Sequence, residues 1–73
     1  RFDLPEAKFV ELYVFDILGR RLRTLVDREM PSGTHQVVWD GTSSAGVDVA
    51  AGIYFARLQT GRKVETIKLL LVK

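Results

Sequence analysis

Apolar and polar residues alternate with a period of two over most of this chain, and turn signals interrupt the alternation at short, regular spacing. Such a pattern puts successive side chains on opposite faces of a strand, and it does not fit a helix, whose apolar positions recur every three to four residues. From Lys8 to Asp16, Val10, Leu12 and Val14 fall on one face while Phe9, Glu11, Tyr13 and Phe15 fall on the other. The β-branched and aromatic content suits a half-buried strand. Asp16-Ile17-Leu18-Gly19 then reads as a type I turn, with Asp bonding back to the backbone and Gly taking φ > 0 after it. A return strand is predicted over about Arg20 to Asp27 with Leu22 inward, and Leu25, out of phase with it, predicts a bulge.

Met30-Pro31-Ser32-Gly33 predicts a second turn, because Pro fixes φ at its second position. Another strand begins at Thr34, with His35, Val37 and Trp39 on one face, and Asp40 to Gly46 forms a polar connection. Val47 and Val49 allow a short extended piece. Ile53 to Gln59 alternates Tyr54, Ala56 and Leu58 against Ile53, Phe55 and Arg57, and Thr60-Gly61 closes a hairpin onto a last run from Lys63 to Lys73. Leu and Lys are good helix formers, but the hairpin partner at Ile53 to Gln59 favours a strand there. The residues sharing inward phase are Val10, Leu12, Val14, Leu22, Val37, Trp39, Tyr54, Ala56 and Leu58, and they are the expected structural core. Six to seven short strands without helical period predict an all-β, immunoglobulin-like antiparallel β-sandwich, a single domain over residues 1–73; an open barrel is the alternative.

Composition narrows the function classes. Seventy-three residues set the limit at one small domain, and 47% hydrophobic with 27% charged residues is a globular balance. No stretch approaches the roughly 20 apolar residues of a membrane-spanning helix, so no membrane insertion is expected. The absence of cysteine removes disulfides, thiolate nucleophiles and cysteine-based zinc sites, and a single histidine leaves few parts for catalysis. The expectation is a non-enzyme without cofactor. A net charge of +2 is too small for a nucleic-acid footprint, so no nucleic-acid partner is expected.

Four groups of residues invite sharper readings. Asp40, Asp48 and the Thr42-Ser43-Ser44 loop offer oxygen ligands to calcium, against an Asx-type turn in which Asp40 bonds its own backbone and Gly41 takes the positive φ; with two carboxylates the turn is preferred and no metal is expected. His35 with Asp40 and Ser43 contains the residue types of a nucleophilic triad, but without a Gly-x-Ser-x-Gly elbow the half-buried strand histidine is preferred. Arg20, Arg21, Arg23 and Arg28 cluster on one hairpin arm, either as an anion site or as a charged edge that blocks strand pairing, and the edge is preferred. Phe9, Tyr13, Phe15, Ile53 and Phe55 lie opposite the core faces, either as a stacking platform for sugar rings or buried at the rim, and the rim is preferred.

The order and spacing of certain residues carry more than periodicity. Phe2-Asp3-Leu4-Pro5-Glu6, Val10-x-Leu12-x-Val14-Phe15-Asp16-x-x-Gly19-Arg20, Leu25-Val26, Gly33-x-His35-x-Val37-x-Trp39-Asp40-Gly41, Gly46-x-x-Val49-x-x-Gly52-x-Tyr54-Phe55-x-Arg57-Leu58 and Lys68-x-x-Leu71-x-Lys73 follow one another along the chain. Together they resemble the C-terminal sorting domain of bacterial type IX secretion, and they are similar as well to the immunoglobulin-like domain of the flagellar hook-capping protein. The sorting family starts earlier, with a strand containing an Asn-Pro-Phe-Asn-Pro-like stretch, and these residues lack it. The resemblance therefore implies a piece of a larger secreted protein whose first strand is missing here, in keeping with an opening on Arg1-Phe2-Asp3-Leu4-Pro5 that has no initiator Met. It further implies a secretion and surface-sorting module, with the cargo domain on its N-terminal side, recognised by the translocon and carried through the periplasm to the surface or medium of a Gram-negative-type bacterium. Lys68, Leu71 and Lys73 match the family's terminal element, so the recognition segment expected from the resemblance is Lys68, Leu69, Leu70, Leu71, Val72 and Lys73. The rival expectation is a carbohydrate-binding or structural, oligomerising sandwich module.

Overall fold

The computed structural model describes residues 2–72. Its strands are β1 (Phe2–Leu4), β2 (Lys8–Asp16), β3 (Arg21–Met30), β4 (Gly33–His35), β5 (Gly52–Thr60) and β6 (Lys63–Leu71). They form an antiparallel four-stranded sheet in the order β3-β2-β5-β6 and a two-stranded sheet of β1 with β4. The two layers make an immunoglobulin-like β-sandwich, as the alternation predicts. Leu4 of the small sheet packs with Val10, Val26 and Met30 of the large one, and Phe2, Leu12, Leu25, Val37 and Leu58 close around that cluster.

The expected core is distributed unevenly. Val10 and Val14 are fully buried, and Tyr54 and Ala56 are buried. Leu12, Leu22, Val37, Trp39 and Leu58 are half-buried, because the two-stranded layer is narrower than the sheet it covers. Leu22 lies apart from the central cluster, at the end of the sandwich that holds Leu18, Val49, Ala51 and Tyr54.

Three buried hydrophobic residues, Leu4, Val26 and Met30, fall outside the expected set. The return strand explains two of them. It continues to Met30, beyond the expected stop at Asp27, with Arg28 and Glu29 carrying the ladder opposite Val10 and Phe9. A charged edge strand tolerates such residues, since one side of each faces water.

The bulge anticipated at Leu25 is present, and a second sits at Leu22. Pairing passes from Leu12↔Val26 to Tyr13↔Thr24, which leaves Leu25 unopposed, and from Val14↔Arg23 to Phe15↔Arg21, which leaves Leu22 unopposed. Each extra residue shifts the phase by one, so β3 supplies apolar residues to the core at irregular intervals.

The strand expected from Thr34 to Trp39 shortens to β4. The ladder ends at Phe2↔His35, although burial still alternates through Val37 and Trp39. Val47 and Val49 flank a single Thr42↔Asp48 bridge in place of a short strand. The final hairpin forms with Thr60 opposite Lys63, and Gly61 at φ 60° supplies the positive φ that a two-residue loop requires at that position.

Candidate interaction surface

The expected recognition segment lies almost wholly in β6, the outermost strand of the four-stranded sheet. Lys68, Leu69, Leu70 and Leu71 pair with Phe55, Tyr54, Ile53 and Gly52. Leu69 and Leu71 are half-buried toward the core, while Lys68 and Leu70 lie exposed on the opposite face. Val72 follows the strand and is exposed, and Lys73 lies outside the described residues. The side of β6 away from β5 carries no strand among the described residues.

The other edge of that sheet is β3, and its chemistry differs. Arg21, Arg23, Asp27, Arg28 and Glu29 line it, and two bulges break its regular spacing. Charges and bulges are the devices by which edges avoid pairing. β6 has no register shift, and its apolar residues Val64, Ile67, Leu69, Leu70 and Leu71 outnumber its charges.

The segment from Trp39 to Ala50 anchors this end of the sandwich. Asp40 Oδ1 accepts the Thr42 N–H at 3.1 Å and the Thr42 hydroxyl at 2.5 Å, and Gly41 takes φ 80°. This is the Asx turn of the sequence reading, and the Asp40 carboxylate is engaged in it. The two hydrogen bonds from Thr42, the hydroxyl first, hold the Asp40 pKa below the ordinary aspartate value.

Trp39 Nε1–H donates to the Thr42 carbonyl at 2.8 Å, and its ring meets Tyr54 edge-on with centroids 5.3 Å apart. The Tyr54 hydroxyl in turn donates to the Ala50 carbonyl. Arg23 Nη1 reaches across to Thr42 Oγ1 and the Ser43 carbonyl, both at 2.9 Å, while Ser44 N–H donates to the Leu22 carbonyl at 2.9 Å. The connection is thereby sewn to β3 at one side. At the other, a Cβ on Gly41 would lie 3.4 Å from Leu71 Cδ1, so the connection rests directly on the terminal strand.

The arginine cluster does not converge on an anion site. Arg20 Nε lies 2.8 Å from Asp16 Oδ2, Arg21 pairs with Glu11 at 3.6 Å, Arg23 is held by the connection, and Arg28 donates to the Glu29 carbonyl. Of these, the Arg23 cross-link escaped the sequence reading, since nothing local marks an arginine whose partners lie 19 and 20 residues away. His35 Nε2 lies 2.7 Å from the Pro31 carbonyl, and its ring rests on Phe2. A carbonyl only accepts, so Nε2 carries the proton and is occupied, as befits a structural strand histidine.

The aromatic residues opposite the core form one continuous outer face. Phe15 and Phe55 stack at 5.4 Å with 22° between planes, and Tyr13 meets Phe15 at 6.0 Å and 46°. The Arg21 guanidinium covers the Tyr13 ring at 3.6 Å, and Arg57 approaches Phe15 at 5.3 Å. These rings lean on one another and on guanidinium groups instead of presenting a flat, vacant row to a sugar chain. Phe9, 58% exposed at the far end, is the ring of this set that stays open.

A family model described as the FlgD Ig-like domain matches residues 2–69. The match spans β1 through most of β6 and includes the Trp39-Asp40-Gly41 turn and the Gly52-x-Tyr54 strand start. No curated protein and no solved structure matches the chain.

Proposed function

We propose a function for this chain from one established premise: it belongs to the FlgD Ig-like domain family. That is a family of non-catalytic structural β domains, and the relation to the immunoglobulin-like domain of the hook-capping protein follows from it. Our reading is a secretion and surface-sorting module at the C-terminal end of a larger exported protein. Its cargo lies on the N-terminal side, and a type IX translocon component in the outer membrane recognises it on the way from the periplasm to the surface or medium.

The supporting observation is the contrast between the two edges of the large sheet. β3 is defended by charge and bulges, whereas β6 presents nine regular residues whose outer main-chain edge pairs with no strand among the described residues. A translocon strand can add to that edge by β-augmentation, with main-chain bonds supplying affinity and alternate side chains supplying specificity. Lys68 and Leu70 stand exposed to be read, while Leu69 and Leu71 hold the strand on the core.

The test is a fusion of this module, preceded by the Asn-Pro-Phe-Asn-Pro-containing strand of the sorting family, to a periplasmic reporter in a bacterium with type IX secretion. The reporter should reach the surface or medium, and Lys68→Ala with Lys73→Ala should retain it in the periplasm without unfolding it. Export in a strain lacking the translocon, or periplasmic retention of the intact and folded fusion, contradicts the reading.

A further inference from the structure

Strands β2, β3 and β5 each bury side chains in the sandwich: Val10 and Val14, Val26 and Met30, and Tyr54, Ala56 and Thr60. β6 buries none. Of its nine residues Leu69 and Leu71 reach half-burial, and no β6 residue belongs to the Leu4, Val10, Val26 and Met30 cluster or packs against it. Ile67 faces inward opposite Ala56 yet stays exposed, because a groove separates Ile67 and Leu69 from Val37 and Trp39 of the other layer.

Side-chain bonds do not make up the difference. Among the described residues, no side chain of β6 forms a hydrogen bond to another element. Its ion pair, Lys63 Nζ to Glu65 Oε1 at 3.0 Å, joins two of its own residues. β6 is therefore held by its main-chain ladder to β5, by the half-buried Leu69, and by Leu71 resting on Gly41. The net gain of a ladder bond is about the size of the conformational entropy lost in ordering the residue that makes it, so a strand keeps its place chiefly through the apolar surface it buries. By that measure β6 is the least anchored strand of the sheet.

Folded proteins open in cooperative pieces, and the pieces with the fewest buried apolar contacts open first. We infer that β6 opens from the sandwich as a unit, hinged at the Gly61-Arg62 turn, while β3, β2, β5 and the small sheet stay folded. Every buried hydrophobic residue lies outside β6, so its departure leaves the central cluster in place. The open state bares two things that the closed one covers: the main-chain edge of β5, and Lys63–Leu71 as an extended segment. β6 is a latch, and the closed and open domains present different strands to a partner.

Native-state amide hydrogen exchange on the full chain tests this. Successive N–H groups of a central antiparallel strand point to opposite neighbours, so those of β5 alternate between β2 and β6. Detachment of β6 frees the second set alone. Exchange along β5 should therefore alternate, with the amides bonded to β6 faster by about tenfold or more than those bonded to β2, and the β6 amides bonded to β5 should exchange with the fast set. Low urea should hardly change the fast set, because the opening exposes little surface, and should accelerate the slow one.

A disulfide supplies the control, since the chain has no cysteine of its own. Ile53 and Leu70 lie directly opposite each other, both exposed, near the end of the hairpin away from its turn. In the Ile53→Cys, Leu70→Cys variant, oxidation should slow the fast set to the rate of the slow one, and reduction should restore it. Two results overturn the inference: equal exchange and equal urea dependence for both sets of β5 amides, or a fast set that the disulfide leaves unchanged. Neither readout depends on export, so the latch and the sorting function fail separately.

Discussion

Gly41 sits against the side chain of Leu71, close enough that a methyl group on its Cα would lie 3.4 Å from Leu71 Cδ1 and 3.5 Å from Cδ2. The turn at the end of the Trp39-Asp40-Gly41 segment and the last residue of the terminal strand are therefore one packed unit, although 30 residues separate them. Gly41 also holds φ 80°, a region L-residues enter at a cost of about 1–2 kcal/mol. Gly41→Ala should lose about that much stability in urea denaturation, and the fraying should concentrate at the C-terminal end of β6 in amide hydrogen exchange. An unchanged midpoint would separate the turn from the strand.

Val14 is fully buried, whereas Leu18 at the tip of the first hairpin is 73% exposed. Removing two methyl groups at the first site leaves a cavity, and Val14→Ala should cost about 2 kcal/mol. Leu18→Ala should stay within about 0.5 kcal/mol of the parent. Thermal melting of both variants checks the contrast, and equal losses would contradict the placement of the core.

The hydroxyl of Tyr54 donates to the Ala50 carbonyl just ahead of β5. Tyr54→Phe keeps the ring against Trp39 and deletes that bond alone, so the expected loss is about 1 kcal/mol. Tyr54→Ala should cost more than twice as much, because it also removes the edge-on aromatic contact and its buried area.

Two carboxylates set the acid limb of the stability profile. The Asp16 pKa is lowered chiefly by the Arg20 backbone N–H, with the Arg20 side chain and the Leu18 N–H adding to it, and the Asp40 pKa is lowered chiefly by the Thr42 hydroxyl. A folded pKa below the unfolded one means that the unfolded chain binds protons first as pH falls. The stabilisation is thus complete above the unfolded aspartate value of about 3.9 and is lost as pH drops through the lower folded values. Asp16→Asn and Asp40→Asn should each flatten the decline below about pH 4. An acid limb unchanged in both variants would show that neither bond survives in solution.

Much of this architecture was legible in the residues themselves. β2 and β5 follow from strict alternation, β6 follows from the hairpin partner that β5 supplies, and the Asp16–Gly19 and Asp40–Gly41 turns follow from side chains that bond their own backbone. β3 hid its length because Arg28 and Glu29 look like loop residues until their ladder partners, Val10 and Phe9, are known. Its second bulge was hidden for a related reason: Leu22 and Leu25 are each apolar, and only the register opposite β2 shows that both are extra. Leu4 escaped because a three-residue strand is too short to show a period. At the surface, the order of residues pointed to the terminal strand, but only the sheet order shows that β6 is the unguarded edge and β3 the guarded one.

That contrast between edges can be tested at one residue. Ile67 faces the core side of β6 yet is 58% exposed, so Ile67→Lys should fold with a melting temperature close to that of the parent. An inward-pointing lysine on an edge strand obstructs the addition of another strand. Measured as the fraction of reporter outside the cell, export of the Ile67→Lys fusion should fall to the level of the translocon-deficient strain, while a Leu18→Lys fusion exports normally. Export of a folded Ile67→Lys fusion at the parental level would contradict recognition through the β6 edge.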